Sequence, residues 1–176
     1  ILLVSDNKAD VGNIKMRLEE SIKFPCYIWH CLTLSMALNY LNKKKLRADI
    51  IILDLGLIGA INPKEIYEKM GEAACNIPII VLTGPGEKEH DLAIFVMEAG
   101  ASDHMVRGQF GRIVDAIEFS LIRHKIATAA SNKSFRDLED RQSDHDSAMI
   151  ESKRKSDKKN HEKNQYISWV TGGYSV

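Results

Sequence analysis

The stretch Ile50-Ile51-Ile52-Leu53-Asp54-Leu55-Gly56-Leu57 sets the frame for the whole chain. An apolar run without polar alternation reads as a central strand covered by helices on both faces, and it carries one carboxylate, Asp54, to the strand's end. In an open parallel sheet, ligands bind at the carboxyl ends of the strands. An acid delivered there by an apolar strand is costly unless it is used. Two further runs end the same way: Ile1-Leu2-Leu3-Val4 leads into Ser5-Asp6, and Ile79-Ile80-Val81-Leu82 leads into Thr83-Gly84. Asp6, Asp54 and Thr83 therefore form the candidate constellation.

Working outward, short apolar runs alternate with longer amphipathic stretches up to about residue 127, as repeated strand and helix units of a parallel sheet do. The expected strands are Ile1 to Val4, Cys26 to Cys31, Asp49 to Asp54, Ile77 to Leu82 and Ser102 to Val106. Helices are expected near Lys8 to Lys23, Thr33 to Lys43, Pro63 to Ala74 and Glu87 to Ala99, with a fifth starting after Gln109. Thr33 suits an N-cap, Pro63 a first helical turn and Gly100 a stop. Cys26 to Cys31 is mixed in polarity, which places it at the sheet's edge.

From Arg112 to Thr171 the sequence holds neither Gly nor Pro, and beyond about Ala130 large apolar residues thin out among charges. One long solvated helix and a disordered tail compete here, and the absence of breakers favours the helix. A thin seam through Val114, Ile117, Leu121, Phe135, Leu138 and Met149 makes at best a weak coiled coil. Tyr166-Ile167-Ser168-Trp169-Val170 turns apolar again, as the start of another element would.

The 176 residues balance 24 basic against 24 acidic side chains, so no global field draws the chain to nucleic acid or anionic lipid. No apolar stretch reaches the roughly 18 residues of a membrane span, and no cleavable leader is visible, so a cytoplasmic protein is expected. The chain opens inside a strand without an initiator Met, as a piece of a longer protein does. Cys26, Cys31 and Cys75 form no CxxC pair and read as core filler. The six histidines lack metal-ligand spacing, so neither zinc nor iron is expected. Ser5-Asp6-Asn7-Lys8-Ala9-Asp10 contains no glycine to cradle a phosphate, which argues against a flavin or nucleotide enzyme.

Taken together, Ile1 to Asn7, Ile52 to Leu57, Ile79 to Gly84 and Gly100-Ala101-Ser102-Asp103-His104-Met105-Val106-Arg107-Gly108-Gln109 resemble the receiver domain of two-component response regulators over roughly residues 1 to 125. The resemblance implies an α/β, flavodoxin-like, doubly wound sheet of five parallel strands in the order 2-1-3-4-5 with an extended C-terminal helix. It divides the chain into a receiver at 1–127 and a charged helical linker or partly disordered extension at 128–176. Asp54 would be the phosphoacceptor, supplied by a partner histidine kinase or phosphotransfer protein. Magnesium would be held by Asp6, Asp54 and the backbone carbonyl of Gly56. Thr83 would bind a phosphoryl oxygen and Arg107 another, with Thr83 and His104 as the switch pair.

Four positions depart from the family's usual residues. Ser5 replaces a second acid, which lowers the expected metal affinity, and Arg107 replaces a lysine whose compact ammonium it does not match. Gly108 stands where many members have proline, and His104 where many have an aromatic ring. The implied function is a phosphoprotein module that is not an enzyme in its own right, relaying its change through the fifth helix, which could also pair into a homodimer. The alternative is a pseudo-receiver, a non-phosphorylated protein-binding or dimerisation module.

Overall fold

The computed structural model describes residues 1–21, 25–43, 47–58 and 62–171, and the side chains of 137, 140, 144 and 162–171 lie outside that description. Residues 1–126 form one compact unit and residues 127–176 a second. Within the first, β1 (Leu2–Val4), α1 (Lys8–Ser21), β2 (Trp29–Cys31), α2 (Leu34–Leu41), β3 (Ile51–Asp54), α3 (Pro63–Ala74), β4 (Ile79–Thr83), α4 (Glu87–Glu98) and β5 (Asp103–Val106) follow in turn, and α5 (Ile113–Thr171) begins there. All pairings are parallel, in the order β2-β1-β3-β4-β5. This is the doubly wound flavodoxin-like arrangement that the sequence implies.

The unbroken apolar runs arise because alternate residues of each strand serve opposite layers. Leu2, Val4, Ile51, Leu53, Ile79 and Val81 pack toward α2, α3 and α4, where Met70, Ile66 and Val96 meet them. Leu3, Ile50, Ile52, Ile80 and Leu82 face the other way, onto Ile14 and Leu18 of α1, onto Phe110 in the loop before α5 and onto Ile113 at its start. A polar residue at Ile51, Ile52 or Leu53 would thus enter one core or the other.

The caps act as expected at α2 and α3. Thr33 Oγ1 accepts from the Met36 amide at 3.2 Å, and Asn62 Oδ1 accepts from the Lys64 amide at 3.0 Å just before Pro63. Gly100 takes φ +99° directly after α4. All five strands start later than their sequence runs, and β2 and β4 show why. β2 begins at Trp29, not Cys26, since β1 offers only Leu2 to Val4 as partners, in register Leu2 to Trp29. β4 begins at Ile79 because Pro78 has no N–H to donate, though its carbonyl accepts from Ile51 at 2.9 Å. The expected end of the first helix, at Lys23, falls outside the described residues.

Cys75 corrects the expectation that all three cysteines fill the core. Cys31 is buried, but Cys75 is exposed and ends α3 in the left-handed region, φ 44°, with Asn76 at 79°. No glycine stands there to take the turn. The tail is helical: α5 continues to Thr171 and takes in Tyr166 to Val170, which therefore start no new element. Along it Phe135, Leu138 and Met149 are exposed, while Ile117 at its start is buried. No helix among the described residues is long and apolar enough to cross a membrane.

Ile52 is fully buried under α1 and α5, so Ile52→Ala should lower unfolding stability by about 3 kcal/mol in a urea titration. Thr33→Ala removes one cap and should cost only about 1 kcal/mol in the same measurement. Equal losses from the two would contradict the layering described here.

Candidate functional site

The three strand tips converge as the apolar runs require. Asp54 ends β3 with its side chain fully buried, so each carboxylate oxygen needs a donor. Ser5 Oγ donates to Oδ2 at 2.8 Å, and the Gly56 amide donates to Oδ1 at 2.8 Å. Arg107 brings Nη1 to 3.8 Å from the same Oδ1. The Ser5 hydroxyl in turn accepts from the Asn7 amide at 3.2 Å, which fixes its direction. The residue that removes an acid from the family's pattern thus supplies a hydrogen bond to the acid that remains.

Asp6 sits at the rim, where its Oδ2 accepts from the Ile58 amide at 2.7 Å and ties the tip of β1 to the loop after β3. It does not cap α1. Asn7 does that, its Oδ1 accepting from the amides of Ala9 at 3.0 Å and Asp10 at 3.2 Å. Thr83, at the tip of β4, is buried, and its Oγ1 lies 2.7 Å from Nε2 of His104 on β5. Burial holds the His104 imidazole below its ordinary pKa, with Asp103 pulling the other way, so the neutral ring is favoured. The next residue, Gly84, donates its amide to Glu89 Oε2 at 3.1 Å. Asp103 grips Arg112 with both oxygens, at 2.9 and 2.7 Å. Burial alone would raise the Asp103 carboxyl, but that guanidinium and the His104 amide bring it below the usual range.

Asp10 joins the site unannounced. It lies in the first turn of α1, only 6% exposed, and its Oδ2 has no hydrogen-bond partner among the described residues. The sequence did carry a signal: Asp10 occupies the stripe that Val11, Ile14 and Leu18 bury, where an acid has no structural reason to be. Desolvation raises its pKa and the nearby Asp54 charge raises it further, while Arg107 and the Gly108 amide act in the opposite sense.

As to a cation, Asp6, Asp54 and the Gly56 carbonyl are hard oxygen donors of the kind magnesium accepts. Among the described residues no group of three or more His, Cys, Asp or Glu comes together as a metal cluster. Two carboxylates and a carbonyl fit an ion that keeps several of its own waters, as magnesium does.

No protein-family model matches the chain, and no curated protein matches it. Solved structures do. A response regulator receiver domain protein from Clostridium thermocellum is 21% identical, with a TM-score of 0.60 over 72% of this chain and 96% of that one. A CheY-like receiver domain protein from Methanospirillum hungatei is 20% identical, with a TM-score of 0.59 over 72% and 95%. An adenylate cyclase structure from Rhodopirellula baltica is 20% identical, with a TM-score of 0.61 over 74% and 93%. The fold is that of response regulator receiver domains.

Asp10 gives a pH prediction. Its folded pKa lies above the unfolded value, so the group favours the folded state only when protonated. That contribution is lost as pH rises from the ordinary carboxylate range through the raised folded value. Asp10→Asn keeps an acceptor for the Gly108 amide and removes the charge, so relative to wild type it should gain stability as pH rises toward neutral. Thermal melts should show this gain at pH 7 and its disappearance below about pH 3.5.

Proposed function

We propose that this chain is a cytoplasmic signal-receiver module whose Asp54 accepts a phosphoryl group from the phosphohistidine of a partner kinase or phosphotransfer protein. One observation supports the reading above others: a fully buried carboxylate at a strand tip, ringed by Ser5, the Gly56 amide and the Arg107 guanidinium, with Thr83 ending the neighbouring strand. Burial accounts for the donors; it does not account for an acid being placed at the end of an apolar strand.

In the transfer, an Asp54 oxygen forms a bond to phosphorus as the partner's P–N bond breaks. The imidazole nitrogen leaves with the electron pair and takes up a proton. Transfer of this kind depends on positioning and on neutralising charge over the equatorial oxygens, more than on covalent help from the protein. Arg107 supplies one positive group and the Thr83 hydroxyl one donor. Asp6, Asp54 and the Gly56 carbonyl would hold magnesium, which when bound neutralises further phosphoryl charge. The module is not an enzyme on its own account; it carries a modification.

The observation that favours the second reading, a pseudo-receiver that docks or dimerises without phosphate, is the Ser5 to Asp54 hydrogen bond. With both carboxylate oxygens engaged within the protein, the acid is satisfied without a ligand. Incubation with magnesium and acetyl phosphate, followed by intact mass, separates the two. A single labile phosphate adduct, absent from Asp54→Asn, is expected; an unmodified wild-type chain leaves only the pseudo-receiver.

For output, α5 begins on the receiver core and continues as a charged helix with Phe135, Leu138 and Met149 exposed along it. Two such helices pairing in parallel would let a shift at the start of α5 pass along the dimer. Light scattering should give a dimer mass for the whole chain and a monomer mass for a version ending near Lys125. Monomers for both would remove this part of the proposal.

A further inference from the structure

The backbone of Arg107 is fixed at the tip of β5, where its amide donates to the Thr83 carbonyl at 2.8 Å. From there the side chain runs back across the tips of β4 and β3 to reach Asp54. It passes two glycines. A methyl group built on Gly56 would overlap Nη1 and lie 2.8 Å from Cζ and 3.0 Å from Nη2, and one on Gly84 would lie 3.0 Å from Nη2. Neither residue is among those with positive φ, which are Gly86, Gly100 and Gly108. What these two positions require is empty space, not glycine's conformational freedom.

We propose that Gly56 and Gly84 are positioning residues that form a flat seat for the Arg107 guanidinium, holding its fork against Asp54. The shape argument is specific to arginine. A planar guanidinium needs two walls without side chains, whereas a lysine ammonium on a flexible stem does not. Every atom the added methyl would strike belongs to the far end of a long side chain, so Gly56→Ala should fold and simply expel the guanidinium. As a device for phosphoryl transfer, the seat rests on the reading of Asp54 given above; as a seat it stands apart from it.

The test compares wild type, Gly56→Ala, Arg107→Lys and the double variant. Two quantities are read: the initial rate of labelling by acetyl phosphate, and the NMR signal of Arg107 Nε–H, assigned by its absence in Arg107→Lys. In Gly56→Ala, labelling should slow about tenfold or more, and the Nε–H signal should move to the position of a solvated arginine. The double variant should label faster than Gly56→Ala, because the smaller ammonium fits beside the methyl. Gly84→Ala, a milder encroachment, should act in the same direction and replaces Gly56→Ala if that chain does not fold. An unmoved Nε–H signal overturns the seat, and so, where the wild-type chain labels, does wild-type labelling in Gly56→Ala or a double variant no faster than Gly56→Ala. No labelling in any chain, with the Nε–H signal moving as expected, sinks the acceptor reading and leaves the seat in place.

Discussion

Burying one carboxylate completely is the constraint around which the tip of this sheet is arranged. Asp54 is held inside by β3, whose other residues fill two cores, so it cannot retreat to solvent without breaking the strand. A buried carboxylate without partners is among the most costly groups a fold can contain, and the remedy is a full set of donors with some positive charge nearby. Ser5, the Gly56 amide and Arg107 are that set. They come from three loops that meet only because β1, β3, β4 and β5 lie side by side in parallel. The strand order is thus what makes the acid tolerable.

Much of this was legible in the chain because strong local signals agreed with the global arrangement. The runs Ile50 to Leu53 and Ile79 to Leu82 have no polar member, which permits only strands covered on both faces, and Pro63 and Thr33 mark helix starts by their own chemistry. Strand limits were less legible, since they depend on the partner: β2 is cut to Trp29 by the short reach of β1. Cys75 was misplaced for a related reason. A cysteine looks like core filler by type, but at the end of α3 the backbone turn decides its surroundings, and the turn uses whatever residue is there.

In the site, residue types were readable and their partnerships were not. Asp6, Asp54, Thr83 and Arg107 lie at or just past the strand tips where the sequence places them, while His104 lies within β5 and reaches Thr83 from there. Ser5 reads in sequence only as a missing acid, yet in space it is a donor to the acid that stays. Charge density at the site is therefore lowered at one position and partly restored at another, since Asp10 adds a carboxylate from α1. That substitution across elements cannot be seen from spacing, because Asp10 approaches Asp54 through the fold and not along the chain.

The same tips also connect the site to α5. The Thr83 hydroxyl meets His104, whose neighbour Asp103 holds Arg112, the residue before α5 begins. Contiguity by itself transmits nothing; an element with two arrangements is required. The Thr83 hydroxyl has two, since its proton can point to His104 Nε2 at 2.7 Å or to the Gly84 carbonyl at 3.4 Å. With the ring kept neutral by burial, Nε2 is able to accept, and the shorter contact holds the hydroxyl toward β5. A phosphoryl oxygen on Asp54 would compete for that same proton. Losing it, His104 would keep its place only through backbone contacts, among them the Arg112 bond to its carbonyl at 2.9 Å. The ring is then the loosest part of the link, and Asp103 with Arg112 the firmest. On the function proposed above, a phosphoryl group at Asp54 would be felt first in the setting of this one imidazole, while the clamp of Asp103 on Arg112 stays closed.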